Sequence, residues 1–192
     1  MYVIMVQASG NGLYLHKRYI IEKHGIETFN KILEIVNEDA RKVLSGSVSS
    51  NTMYDVNVMN ELLRAFVIVV SHDKLKDMAE YTVQKQLSGL YGIFVKFMTF
   101  ERMAKLYKTY WRKFYSEGEL DYTANKDFTD IVFTISNFTY SNEVIYGSMY
   151  YIQAILEAVS KKKIISSFKR IDDRTTEYHY VMLLSKESKT ST

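Results

Sequence analysis

His72 and Asp73 are adjacent, His24 lies upstream of them, and Asp121, Asp127 and Asp130 lie downstream. An order of His, His-Asp and Asp can hold a divalent metal that activates water for phosphoester hydrolysis. That metal set is built on helices, whereas the downstream acids here fall in or beside segments with strand alternation, and no two histidines stand at ligand spacing. Asp73 is better explained as a first-turn acid opposing a helix dipole. His16 and His24 are eight residues apart, about 80° around a helix, so they do not share a face. His179, in "EYHYV", reads as one member of a cross-strand surface pair. Asp172-Asp173 has turn chemistry as its cause. "GNG" at 10–12 lacks the third glycine and the long preceding strand of a dinucleotide site, and no serine has a nucleophile-elbow setting. No catalytic set and no metal site assemble, so a non-enzymatic protein is expected.

A different chemistry is offered by "LYKTYWRKFYSEG", residues 106–118. At 100° per residue, Phe100, Met103, Tyr107, Tyr110, Trp111 and Phe114 fall in a sector of roughly 100°, and Arg102, Lys105, Lys108, Arg112 and Lys113 in another of roughly 140°. An apolar sector facing the protein and a cationic one facing water is ordinary amphipathic design. Tyr and Trp also bring polar tips into an apolar lining, so Tyr107, Tyr110, Trp111 and Phe114 are candidate walls of a ligand pocket, with Tyr14 and Tyr150 as further additions. With Lys96, the cations make a surface that could meet phosphate or an acidic partner. Base stacking needs aromatics on the cationic face, and here they lie opposite, so nucleic-acid binding is not expected.

Positioning these residues requires a real core, and 192 residues with 47% hydrophobic and 24% charged content can supply one. Zero cysteines exclude disulfides, thiolate nucleophiles and zinc ribbons. The start lacks a signal-peptide pattern and the longest strongly apolar run, "AFVIVV", is too short to span a bilayer, so a cytoplasmic protein is expected. Net charge is a modest +3. With no proline and eight glycines no linker divides the chain, which reads as one domain over residues 1–186 and a flexible tail over 187–192.

Helical spacing covers residues 12–24, closed by Gly25, then a helix through Phe29 and Val36, and a short one in "EDARKVL". "SGSVSSNTMYDV" reads as a loop or extended link. Helices follow over 56–70, where the terminal "VIVV" is apolar all round and expected to be central, from Ser71 or Asp73 through Leu87, and from a Thr99 cap to Ser116. Gly89 and Gly92 allow an interruption before the last of these. After Gly118 the alternation changes to that of a hairpin turning near Asn125 and Lys126, a helix over Asn142 to Ser160, and a second hairpin around "DDRT". The fold class is α+β: N-terminal helices packed on a short, mostly antiparallel four-stranded sheet in the order helices-β-β-α-β-β.

"YIIEKHGIETFNKIL", "LSGLYGIFVKFMTFERMAKLYKTYWRKFYSEGEL" and the final hairpin together resemble an uncharacterised bacterial family first catalogued as Myxococcales-restricted proteins. More distantly the chain is similar to haem-NO-binding domains, 4-vinyl-reductase-type domains and Golgi vesicle-tethering subunits. The resemblance implies helices on an antiparallel sheet, often around an apolar cavity for small molecules. It also marks departures. A haem-NO-binding domain has a proximal histidine on a mid-chain helix and a Tyr-x-Ser-x-Arg signature, but this chain has no histidine between Asp73 and Tyr178 and no such signature. No cofactor is therefore expected, and mechanisms that use cysteine are excluded. The expected function is a sensor or adaptor domain binding an apolar or weakly polar small molecule. The rival is an interaction module that forms a homodimer or docks on a protein partner through a helical face.

Overall fold

Small residues with an acceptor oxygen start most of the helices, because such an oxygen takes up a backbone N–H that the first turn leaves unpaired. The computed structural model describes residues 6–88 and 99–183, without the side chains of Phe100, Tyr110 and Arg112. The Gly89 and Gly92 interruption, Lys96 and the tail thus lie outside the described residues. Ser9 Oγ accepts from Asn11 N–H to open α1 (Gly10–His24). Gly25 ends it at φ 86° and ψ 162°, a conformation that glycine alone adopts freely. Next come α2 (Ile26–Ile35) and α3 (Glu38–Ser45), the latter capped by Asn37 Oδ1, which accepts from Ala40 N–H at 2.9 Å. Asn37→Ala is expected to lower the melting temperature by about 2–4 °C in a circular-dichroism melt, since the cap contributes about 1 kcal/mol in a domain of this size.

Asp55 opens α4 (Val56–Val69) by accepting from Asn57 N–H, and α5 (Lys74–Leu87) follows without a side-chain cap of its own. Thr99 Oγ1 accepts from Arg102 N–H to start α6 (Phe100–Phe114), and Ser141 Oγ accepts from Val144 N–H to start α7 (Asn142–Ser160). The expected all-round burial of "VIVV" is corrected: Ile68 is 61% exposed, because α4 turns that side to water while Leu62, Leu63 and Phe66 fill the core.

Strands β3 (Glu119–Ala124), β4 (Asp130–Ser136), β5 (Ile164–Asp172) and β6 (Thr175–Met182) form an antiparallel sheet in the order β3-β4-β6-β5. Asn125 Oδ1 accepts from Thr129 and Asp130 N–H in the first hairpin turn, and Asp172 Oδ1 from Arg174 N–H in the second. The α+β class and the order of elements are those that the sequence pattern gives. Register sets Tyr122, Phe133, Tyr178 and Phe168 in one cross-strand row on the buried face. There α7 packs, and the Tyr180 hydroxyl donates to the Met149 carbonyl at 3.2 Å. Glu177, His179 and Thr134 line the opposite face, which is partly open to water.

Within the expected link, a second sheet appears: β1 (Gln7–Ser9) pairs antiparallel with β2 (Met53–Asp55). Ser116 N–H donates to the Gln7 carbonyl and Gln7 N–H to Ser116 Oγ, while Ala8 bridges Tyr115. This small sheet therefore ties the first helix to the end of α6. Among the described residues no helix is long and apolar enough to cross a membrane.

Candidate functional site

The segment that β1 ties down is also the rim of a partly open cavity of about 120 Å³. Asn11, Gly12 and His16 reach it from α1, and Met59 and Leu63 from α4. Thr82 and Gln86 close it from α5, Ser148, Tyr151 and Ile152 from α7, and Ile135 from β4. Helix α6 adds Tyr107, Trp111 and Phe114, with Tyr115 just beyond its end and Tyr140 from the link before α7. The structure thus brings three of the candidate wall residues together, at the spacing i, i+4, i+7 of one helical stripe. Tyr14, 38% exposed, and Tyr150, packed against Tyr146, are not among the lining residues, and the Tyr110 side chain lies outside the described part of the chain.

An aromatic chain stiffens the α6 side. Trp111 and Tyr115 have ring centroids 4.4 Å apart, Tyr115 and Phe138 5.0 Å, and Phe138 and Tyr140 4.0 Å. Offset and edge contacts of this kind favour one arrangement of the rings. The Trp111 indole N–H donates to the Glu117 carbonyl at 3.1 Å, fixing the tryptophan across the end of its own helix. Gly118 makes room for Phe138: at φ 79°, a Cβ there would stand 2.6 Å from Phe138 Cδ2.

Among the described residues, none of the lining side chains is Asp, Glu, Lys or Arg. The one titratable imidazole is kept neutral: desolvation lowers the His16 pKa to about 4. By surface area His16 is only part-buried, because its ring borders the cavity, but protein surrounds it and its Nδ1 lies 3.2 Å from Met59 Sδ. Burial likewise pushes the phenols of Tyr107, Tyr115, Tyr140 and Tyr151 up from their ordinary range, so all are neutral hydroxyls.

Their hydrogen bonds form a partial network. The Tyr107 hydroxyl lies near that of Tyr151, whose O–H donates to Gln86 Oε1 at 2.6 Å. The buried hydroxyls of Tyr140 and Tyr178 make no well-formed hydrogen bond among the described residues. Tyr115 lies beside Tyr140 and Ser148 beside Tyr178, without the geometry of a hydrogen bond to either hydroxyl.

Three cations of α6 are engaged within the protein. Lys105 pairs with Glu101 and Lys108 with Asp121 at 2.9 Å, Arg102 is exposed beside Glu101, and Lys113 also has a partner. His72 does not approach an acid cluster; its ring meets the edge of Tyr146 with centroids 4.3 Å apart. Among the described residues no group of three His, Cys, Asp or Glu could hold a metal.

No family model and no curated protein matches the chain, so the resemblance to the Myxococcales-restricted family rests on its three sequence stretches alone. Solved structures do match. An Fe(II) unliganded H-NOX protein from K. algicida superposes with a TM-score of 0.70 at 13% identity, over 92% of this chain and 97% of that one. An H-NOX protein from S. oneidensis in the Fe(II)NO ligation state gives 0.64 at 10% identity, over 92% and 99%. Identities this low speak for architecture alone, and the architecture of this chain is the H-NOX fold.

Proposed function

We propose that the chain is a non-enzymatic sensor domain that binds an apolar or weakly polar small molecule in the cavity between α1, α6 and α7. The observation that carries this reading is a cavity with an uncharged, tyrosine-rich lining, inside a fold whose solved neighbours include an NO-ligated iron protein. Apolar concavity with a few convergent polar groups is the usual form of a small-molecule site.

Haem is a poor fit. The cavity is smaller than the engineered cavity of about 150 Å³ that accommodates benzene. Its single lining histidine, His16, turns Nδ1 to Met59 rather than to open space. These features, with the missing mid-chain histidine, support a domain that keeps the fold without the haem mechanism.

The test is a native mass spectrum of freshly purified protein beside a denaturing one, with an absorption spectrum of the same sample. A discrete small extra mass, lost on denaturation and absent from Ser148→Leu, which fills much of the cavity, is the expected result. A Soret band would overturn the haem-free reading. Identical spectra for wild type and Ser148→Leu would overturn the cavity as the binding site.

A further inference from the structure

Resting on the cavity reading, we propose that the ligand is a neutral hydrogen-bond acceptor no larger than a single small ring, such as a compact ketone, recognised by the Tyr115–Tyr140 hydroxyl pair. Size sets the first limit. About 120 Å³ is room for one small ring, or for about four waters at ≈ 30 Å³ each. Charge sets the second. An ion moved into this lining would lose part of its hydration and meet no counter-charge among the described residues. Phosphates, carboxylates and ammonium compounds are excluded on that ground, and the neutral His16 does not relieve them.

The direction of the unused hydrogen bonds sets the third limit. Within the lining, Gln86 Oε1 accepts from Tyr151 and Ser9 Oγ from Asn11 N–H, while the Thr82 hydroxyl donates to the Met78 carbonyl at 2.9 Å. One buried hydroxyl of the lining is left over. Tyr140 is 5% exposed, lines the cavity, and its hydroxyl is unsatisfied. With the Tyr115 hydroxyl beside it, the pair carries two O–H groups, and a contact within the pair can use only one of them. A ligand carbonyl or ether oxygen completes that pair, and leaving a buried donor unmade is costlier than the bond itself is favourable.

The experiment uses four compounds on one ring: cyclopentanone, cyclopentane, cyclopentanecarboxylate and cyclopentylammonium. Each is titrated into the full chain and followed by protein amide chemical shifts and by the emission of Trp111, the single tryptophan. Cyclopentanone is expected to bind and the two ions are not. Tyr140→Phe and Tyr115→Phe, which keep the ring and delete only the hydroxyl, are each expected to weaken cyclopentanone about tenfold and leave cyclopentane unchanged. Two variants keep the test open if one fails to fold. Equal affinity for cyclopentane and cyclopentanone, or binding of either ion as tight as the ketone's, overturns this inference and leaves the cavity reading standing. No binding by any of the four overturns both.

Discussion

Gly10→Ala is expected to lower the melting temperature by roughly 6–12 °C, corresponding to about 3 kcal/mol in a domain of this size. Gly10 is the first residue of α1, and its N–H donates to the Thr52 carbonyl at 2.7 Å, so the backbones lie almost against each other. A Cβ at this position would stand 2.2 Å from the Ser49 carbonyl oxygen, 2.8 Å from that of Thr52 and 2.6 Å from Tyr54 Cε2. Two of these atoms are backbone, so relief requires the 49–52 turn to move, not a side chain to rotate. Gly12→Ala is the control, because its Cβ would meet only the flexible Met59 Cε, at 3.4 Å. Inside a helix, the alanine at 12 should even gain a little from reduced backbone entropy. Melting curves that coincide for the two variants would refute the account.

The second large effect is the loss of stability on acidification that His16 carries, beside a contribution of the same sign from the desolvated His24 that wild type and a His16 variant share. Desolvation lowers the His16 pKa from an ordinary 6.5 to about 4, so between those values the unfolded chain binds a proton that the folded one refuses. Stability therefore falls as pH drops through this window. Each tenfold rise in proton concentration within it costs ~1.4 kcal/mol, which amounts to about 2 kcal/mol by pH 5 and about 3 kcal/mol near pH 4. The carboxylates of Glu22, Glu61 and Glu101, lowered chiefly by hydrogen bonds to Arg18, Arg64 and Lys105, act at the acid end of the same titration. Their contribution is common to wild type and to His16→Leu, which removes only the imidazole. Urea unfolding of both proteins at pH 7 and pH 5 is expected to show the wild type losing about 2 kcal/mol more than the variant. Parallel losses would mean that the imidazole reaches water in the folded state.

Much of the architecture is legible in the sequence, because it rests on local chemistry. Thr99, Asn125 and Asp172 act in the structure as their residue types promise, and the alternation of 128–135 places Ile131, Phe133 and Ile135 on the buried face. What was not legible depends on partners distant in sequence. Strands β1 and β2 are three residues each, too short for alternation to register, and exist because they pair with one another. Of the site, the α6 stripe of Tyr107, Trp111 and Phe114 could be read from helical spacing. Tyr115, Tyr140 and Tyr151 could not, because they converge from a helix end, a link and another helix. Their only signal was the abundance of tyrosine, 16 in the chain, which names no position. His16 shares no face with His24, and its setting comes from Met59, which touches its ring from 43 residues away in the chain.

The tie between Gln7 and Ser116 spans 109 residues. During synthesis at ~5–20 residues per second, the N-terminal strand must wait roughly 5–20 s after it emerges before its second partner exists. Helices α1 to α3 need less delay, since α1 packs on α2 and α3 on α4, whereas α5 must wait for α7. The first helices can thus gather early with β1 held on β2 alone, Tyr115 and Ser116 then tie them to α6, and the cavity wall is completed last by β4, Tyr140 and α7. A nascent chain halted at residue 116 would hold the α6 aromatics of the cavity without the α7 side that faces them.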